Sequence, residues 1–468
     1  MESKDVIIEE YSKEIENGTA AVFAGAGLSI VSGYVNWKGL LAIAAKELGV
    51  TITDNTNLVD LAQYYENATG NRNGLSEAIS NEFQGKRPNE NHEILASMPI
   101  RSYWTTNYDN LIEQALEDAQ KRYDPKVDDK SLAISCKQCT TIVYKMHGDI
   151  TSTADCVLSR NDFEDYPNTH KAFLNALGYD MANKCFLFIG LSMDDPNLHY
   201  IFGRVRQVFK RNQRRHFYVT QRVQKKEGES DGDFAERITM QKLFVDDLKR
   251  YNIQTVLVDN YSEITEILRS IRSRFLRHYI FISGAAAEYG RFCETDTKKF
   301  IRELSADIIS KGKRIVTGFG LGIGNDVISG AISQLNKEGK PIDGNLVIYP
   351  FPQGGSDIIK MWNDYRKEMI SKCGVSLFLL GNKRGKEGNI IQSEGMATEY
   401  EIAKDNNNFL IPVGATGYMS KELWKSQMKD ISTDPQYKDF MSDIKALGDD
   451  SLSLDGLKDV ILNILTKI

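Results

Sequence analysis

The stretch Ala20-Ala21-Val22-Phe23-Ala24-Gly25-Ala26-Gly27-Leu28-Ser29 decides the fold. Small and apolar residues run from Ala20 to Ala24, then Gly-x-Gly and a serine follow. An apolar run that stops at glycine reads as a buried parallel strand entering a tight turn. Glycines let backbone N–H groups approach a ligand that a Cβ would hold off. A helix beginning there adds a field that favours phosphate. Two readings stay open on these residues alone: a nucleotide cradle, or an ordinary strand-to-helix turn.

Outward from this stretch the chain alternates. Apolar spacing predicts a helix over 5–18 before it and a second over 36–48 after Gly33, with more helix across 57–84. Strand-like runs follow at Ile100–Thr105, Ile142–Met146, Cys185–Ile189, Phe217–Thr220 and Thr255–Val258, and a helix over 262–274. Asp194-Asp195-Pro196-Asn197 reads as a helix start. Strands alternating with helices predict a doubly wound parallel sheet, which binds ligands at the carboxyl ends of its strands. Asn107, His147-Gly148-Asp149 and Gly190 all stand at such ends.

The basic segment 272–278 marks a boundary, beyond which the pattern restarts. Strands are expected at Tyr279–Ile282, Arg314–Thr317, Leu346–Tyr349, Val375–Leu380 and Phe409–Val413, with helices over 293–311, 325–336, 358–371 and 394–405 between them. The fold class is therefore α/β: two Rossmann-like domains, 1–275 and 279–468, with mainly parallel sheets flanked by helices. In the second, Thr317-Gly318-Phe319-Gly320-Leu321-Gly322-Ile323-Gly324 predicts a long row of exposed N–H groups suited to phosphates.

Composition narrows the function. With 468 residues, 41% hydrophobic and 26% charged, the chain has the make-up of a globular protein with a large core. A net charge of −6 argues against a nucleic-acid binder. The acidic start, Met1-Glu2-Ser3-Lys4-Asp5, is no signal peptide, and no apolar run reaches the length of a membrane span. Six cysteines are few for this length, so an intracellular, reduced protein is expected, and a cytoplasmic one. Cys136-Lys137-Gln138-Cys139 has no second CxxC to complete a zinc site, so no metal is expected there and the loop is read as carrying two free thiols.

Four pieces stand in one order over the first domain: Gly25-Ala26-Gly27-Leu28-Ser29, Thr105-Thr106-Asn107-Tyr108-Asp109, Lys145-Met146-His147-Gly148-Asp149 and Gly190-Leu191-Ser192. This resembles the sirtuin family, whose fold binds NAD beside a catalytic Asn and His. The resemblance implies that Gly25, Ala26, Gly27, Ser29, Gly190 and Ser192 bind NAD as a substrate, with no further cofactor. Asn107 would orient a water or the nicotinamide ribose, Asp109 would hold that amide or a ribose hydroxyl, and His147 would act as general base. The chain departs from the protein-deacylating members. Where they carry a Gly-Ile-Pro-Asp-Phe-Arg-like segment, this chain has Ser32-Gly33-Tyr34-Val35-Asn36-Trp37-Lys38, and the four-cysteine zinc module is missing. Water is then the expected acceptor.

The second domain resembles the SLOG family of nucleotide-sensing Rossmann-like domains. The resemblance rests on Ser283-Gly284-Ala285, the glycine run, and Arg366 and Glu399 on later helices. Ser283, Gly284, Gly320, Leu321, Gly322, Arg366, Lys383 and Glu399 are the expected ligand-binding residues, with Arg366 and Lys383 on phosphates and Glu399 on ribose hydroxyls. A sirtuin-like domain fused to a SLOG domain resembles the effector family of the Thoeris antiphage defence system. That likeness implies a cyclic ADP-ribose-type activator made by a partner TIR protein, NAD depletion, and a homo-oligomer, tetrameric or larger. The competing expectation is a non-catalytic NAD or ADP-ribose-binding module that signals through assembly.

Overall fold

The computed structural model describes residues 3–35, 37–53, 56–83, 85–191, 196–352 and 357–468. They form two compact units, Met1–Arg272 and Ser273–Ile468. The basic segment 272–278 is no loop: the helix Ser262–Leu276 runs through most of it, and the division falls inside that helix. No helix among the described residues is long and apolar enough to cross a membrane.

In the first unit seven parallel strands form one sheet: β1 (Ala20–Ala24), β2 (Ser102–Thr105), β3 (Tyr123–Lys126), β4 (Thr141–Lys145), β5 (Cys185–Ile189), β6 (His216–Gln221) and β7 (Ile253–Val258). Their order is β3-β4-β2-β1-β5-β6-β7. All five residues of β1 are buried, as a central strand covered on both faces requires. The chain winds outward in both directions from β1, so the crevice between β1 and β5 is the topological switch point. The main core packs Phe23, Trp104, Phe186, Phe188 and Phe202 beneath helices, with Trp104 stacked on Tyr144 at 3.9 Å.

A second, smaller core lies over the carboxyl edge of the sheet. It joins Tyr34, Leu41, Leu61, Tyr65, Ile79 and Phe83 to Tyr108 and Leu111 at the end of β2. The helix expected over 36–48 is two short helices here, Trp37–Leu40 and Ala42–Glu47. The helix Leu58–Thr69 is capped by the Asn57 side chain, which accepts from Val59 and Asp60 N–H at 3.1 and 3.2 Å, and ends at Gly70 with φ 71°. Arg72 fastens this cap to the sheet side. Its guanidinium reaches Glu66 at 2.7 Å, Asp162 at 2.6 Å, and the carbonyls of Ala154 and Cys156 at 2.9 and 3.1 Å.

In the second unit five parallel strands, β8 (Tyr279–Ala285), β9 (Arg314–Thr317), β10 (Leu346–Ile348), β11 (Val375–Leu380) and a later strand, Phe409–Pro412, stand in the order β10-β9-β8-β11 followed by Phe409–Pro412. Its switch point lies between β8 and β11. Between β11 and the last strand an antiparallel pair, β12 (Asn382–Arg384) and β13 (Ile390–Gln392), makes a hairpin that the sequence pattern did not announce. Phe409–Pro412 is accordingly β14. β3 was also unannounced: it carries Pro125 and charged residues, a composition that only an edge strand tolerates.

Cys136 and Cys139 are joined in a disulfide, so the expected pair of free thiols is corrected. Two cysteines three residues apart on one exposed loop bring their sulfurs within bonding reach, and sparse cysteine usage elsewhere says nothing about such a pair.

Two consequences are measurable. Arg72→Ala leaves Glu66 and Asp162 partly buried without their cation, so it should destabilise the first unit by about 2–3 kcal/mol, read as a fall in its thermal unfolding midpoint. Burial also lowers the pKa of His92 to about 4 and of His216 to about 3. Both are neutral in the folded chain and protonate near the ordinary histidine value once unfolded. Their stabilisation is complete above about pH 6.5 and is lost as pH falls toward the folded values, at roughly 1.4 kcal/mol per pH unit per histidine. Urea unfolding should show that loss between about pH 7 and pH 5, and His216→Gln should reduce the slope.

Candidate active site

Four neighbouring strands, β4, β2, β1 and β5, end on the same edge of the first sheet, and the residues just beyond them meet there. At the switch point the backbones of Gly25–Gly27 and Gly190 touch. Gly25 N–H donates to Ile189 O at 3.0 Å and Gly27 N–H to Gly190 O at 2.7 Å. A Cβ on Gly25 would stand 2.5 Å from the Gly190 oxygen, and one on Gly27 2.9 Å from it. Gly190 itself has φ 63°. Gly25 starts the helix Ala26–Ile30, only five residues long.

Asn107 follows β2 and is 8% exposed. Its Nδ2 donates to Gly25 O and to Ser29 Oγ, each at 3.1 Å. Ser29 Oγ donates in turn to Asp109 Oδ2 at 2.8 Å, and Asp109 Oδ1 accepts from Leu111 N–H at 3.0 Å. Burial pushes the Asp109 pKa up, against the opposing pull of the Leu111 N–H, Lys145 and Ser29. One chain of hydrogen bonds thus fixes the orientation of the Asn107 amide relative to the glycine turn.

His147 follows β4 and is buried. Its ring stands edge-on to Phe163 at 5.3 Å and to Tyr166 at 6.3 Å. Its carbonyl accepts from Val157 N–H at 2.9 Å, and Tyr166 Oη donates to Met146 O at 2.9 Å. The positive φ of Gly148, 95°, lets the chain turn sharply behind the imidazole.

A cavity of about 950 Å³ lies between this edge and the helical cap. Ala26, Gly27, Ser29, Asn107, Asp109, His147 and Gly190 line it on the sheet side. Tyr34, Trp37, Leu40, Leu58, Phe83 and Phe163 make its wall largely apolar. Arg160 and Asp60 also line it, paired at 2.5 Å. A second cavity, of about 290 Å³, adjoins Asn89, Asn91, Tyr261 and Thr265 and shares Gly27 and Gly190 with the first. Ser192 lies outside the described residues, and the helix that follows it begins at Pro196. Sequence reasoning missed Arg160, Asp60 and Phe163, because a helix that faces a cavity carries no local motif. It also passed over Lys145, which it quoted beside His147 without assigning it a task.

In the second unit Ser283, Arg366 and Glu399 come together at the switch point. Ser283 Oγ donates to Glu399 Oε2 at 2.6 Å, and Arg366 Nε donates to Glu399 Oε1 at 3.3 Å. The Arg366 guanidinium also lies 5.0 Å from the centre of the Phe351 ring. Burial pushes the Glu399 pKa up, opposed by Ser283 and Arg366. The glycines of the run also pack closely against the end of β8. A Cβ on Gly284 would stand 2.8 Å from Leu379 O, and Gly320 and Gly322 press against the carbonyls of Gly284 and Ala286. Ala286 N–H donates to Leu321 O at 2.9 Å and Gly324 N–H to Gly320 O at 2.8 Å. These glycines are needed for backbone-on-backbone packing. The Leu321 side chain is exposed. Lys383 stands exposed on the hairpin, and among the described residues no hydrogen bond or ion pair joins it to Ser283, Arg366 or Glu399.

The first unit is therefore a SIR2-like Rossmann fold with a cavity beside the switch point of its parallel sheet. Residues 101–246 match the family described as SIR2-like domain, and residues 263–468 match the Sir2- and TIR-associating SLOG family. The chain is 41% identical over 466 residues to NAD(+) hydrolase ThsA of Bacillus cereus (strain MSX-D12), covering 98% of this chain and 97% of that protein. It is 40% identical to NAD(+) hydrolase ThsA of Cytobacillus dafuensis, over 99% of this chain and 97% of that one. The same name and 40% identity hold for a protein of Acinetobacter baumannii (strain 532279), over 91% and 90% of the two chains. The chain belongs to the ThsA family.

The glycine contact gives a direct test of the site's construction. Gly190→Ala puts a methyl group into the backbone of Leu28 at a residue with positive φ. It should cost about 2–4 kcal/mol of stability and weaken nucleotide binding, measured by chemical unfolding and calorimetric titration of ADP-ribose.

Proposed function

We propose that the first unit hydrolyses NAD to ADP-ribose and nicotinamide, and that a cyclic ADP-ribose-type messenger bound by the second unit switches that reaction on. The observation that carries the reading is the convergence of the buried Asn107, Asp109 and His147 on one cavity beside the Gly25–Gly190 contact. The NAD(+) hydrolases that share about 40% of its sequence over almost the whole chain support it.

The two cavities sharing Gly27 and Gly190 suit the two arms of a dinucleotide. The diphosphate crosses the glycine turn, where side chains are absent. The nicotinamide ribose enters the larger cavity. Cleavage of the bond between C1′ and the nicotinamide nitrogen builds positive charge on the ribose while the electron pair leaves with nicotinamide. The largely apolar wall lowers the polarity around the ribose, which strengthens every dipole aimed at that charge. Asn107, held by Gly25 O and Ser29 Oγ, orients a water or the ribose, and Asp109 fixes the same hydrogen-bond chain from behind. His147 takes the proton from the attacking water, which becomes the new C1′ hydroxyl. Nothing in the segment 32–38 restores the peptide-binding sequence of deacylating sirtuins, which favours water over an acyl-lysine acceptor.

In the second unit the buried Ser283–Glu399–Arg366 cluster supplies a carboxylate for ribose hydroxyls and a guanidinium for phosphate. The match to a family named for its association with TIR domains supports a TIR partner as the source of the messenger. In this reading the protein works in the cytoplasm as a homo-oligomer, and NAD depletion is its contribution to antiphage defence. Activation requires the messenger to bind the active state more tightly than the resting one.

The test is nicotinamide release from NAD by purified protein, with and without cyclic ADP-ribose isomers. Asn107→Ala and His147→Ala should each lower turnover by roughly a hundredfold or more. Arg366→Ala should abolish the response to the messenger. Folded protein that binds NAD or ADP-ribose without turnover under every activator would make the chain a signalling module instead.

A further inference from the structure

Lys145 closes β4 and is 0% exposed, a rare place for a lysine. Its ammonium donates to Asp109 O at 2.5 Å and to Tyr108 O at 3.3 Å. It also pairs with Glu113 at 3.2 Å and with Asp149. The two carbonyls belong to the segment that carries Asn107, and Asp149 stands two residues beyond His147. One cation thus bonds to both loops that present the reacting side chains. The ladder of β2 with β4 ends at Met146 N–H on Thr105 O, 2.9 Å; beyond it the two loops are joined by Ile150 N–H on Tyr108 O, 3.1 Å, and by the ammonium, which alone reaches Asp109 O and Asp149 together.

Stability alone gives no reason for this arrangement. A buried ion cluster is commonly no more stabilising than well-packed apolar side chains of the same volume. This one sets a single ammonium among three carboxylates: Glu113, Asp149 and, more distantly, Asp109. Burial disfavours the ammonium, but Glu113 and Asp149 outweigh burial and keep it charged. Burial pushes Glu113 and Asp109 upward. Burial works against ionised Asp149 as well, yet Lys145 and the Thr151 N–H overcome it and hold that carboxylate below its ordinary value.

We propose that Lys145 is a positioning residue for NAD hydrolysis: its ammonium locks the Asn107–Asp109 segment to the His147–Asp149 segment, so that both reacting side chains face one point of the cavity. The inference rests on the reading that Asn107 and His147 act on NAD. Lys145 is fully buried and is not among the residues that line the cavity, so its effect falls on the geometry of the reacting groups and not on binding. Misplacement of such groups by about an ångström lowers rate by up to two orders of magnitude.

Steady-state nicotinamide release by the full chain tests it, under the conditions that give the highest wild-type rate. Lys145→Met combined with Glu113→Gln removes the ammonium and neutralises Glu113, leaving Asp149 held by the Thr151 N–H at 2.8 Å. The folded double variant should lose roughly thirtyfold or more in kcat with KM within about threefold of wild type. Lys145→Gln, which keeps a neutral donor on a side chain one bond shorter, should have a kcat between that of the double variant and that of wild type. A folded variant with kcat within about twofold of wild type overturns the proposal. So does a loss confined to KM, which would make Lys145 a binding residue. Failure of both variants to fold would make it a residue of the core and overturns the proposal as well. Asn107→Ala and His147→Ala separate the two levels: if they turn over normally, the reading of the site fails. If they are inactive while Lys145→Gln is fully active, only the role of Lys145 fails.

Discussion

The contact between Gly25–Gly27 and Gly190 is the constraint on which the rest of the first unit depends. β1 and β5 are neighbours at the point where the sheet reverses its winding, and their outgoing backbones meet at hydrogen-bond distance. Side chains there would hold the strands' ends apart, because a Cβ on Gly25 comes within 2.5 Å of a carbonyl oxygen. The contact leaves a surface made of backbone alone between two cavities. It also offers the Gly25 carbonyl to Asn107, which ties the loop after β2 to the turn after β1. Geometry at the switch point is therefore passed sideways across the sheet, from β5 to β1 to β2, and through Lys145 to β4.

The second unit solves the same problem with the same means. Gly320 and Gly322 press on the carbonyls that end β8, and the buried carboxylate of Glu399 sits above the crevice between β8 and β11. In both units a charged or polar side chain is held in a dry place by partners from other strands, which fixes its direction before any ligand arrives. Such preorganisation suits recognition of sugar hydroxyls and phosphates, whose geometry is rigid and whose desolvation is costly.

Much of this was legible in the chain. Buried parallel strands are continuous apolar runs, so β1, β5 and β11 were placed to the residue, and the polar residues just after such runs stand at the edge that carries the cavity. Edge elements were not legible. β3 reads as polar, with Pro125 inside it, because half of an edge strand faces solvent. The hairpin β12–β13 is two three-residue strands, too short for any period. The glycine run at 318–324 was read for its ligand-facing amides; its glycines also serve close contact with the neighbouring strand, a use that the sequence does not announce. The disulfide depends on the path of a loop, and Arg160, Phe163 and Lys145 depend on long-range packing. Arg160 reaches Asp60, 100 residues away, and the Lys145 ammonium reaches Asp109 O, 36 residues away, and such contacts leave no local signature.

The central claim is that the edge formed by β4, β2, β1 and β5 holds the dinucleotide. A crystal structure of the full chain grown with ADP-ribose tests it most directly. The account predicts the diphosphate over the Gly25–Gly27 and Gly190 turn, with the distal ribose between Asn107 and His147 in the larger cavity. ADP-ribose bound elsewhere in the first unit, with that cavity open and its side chains unchanged, would contradict it.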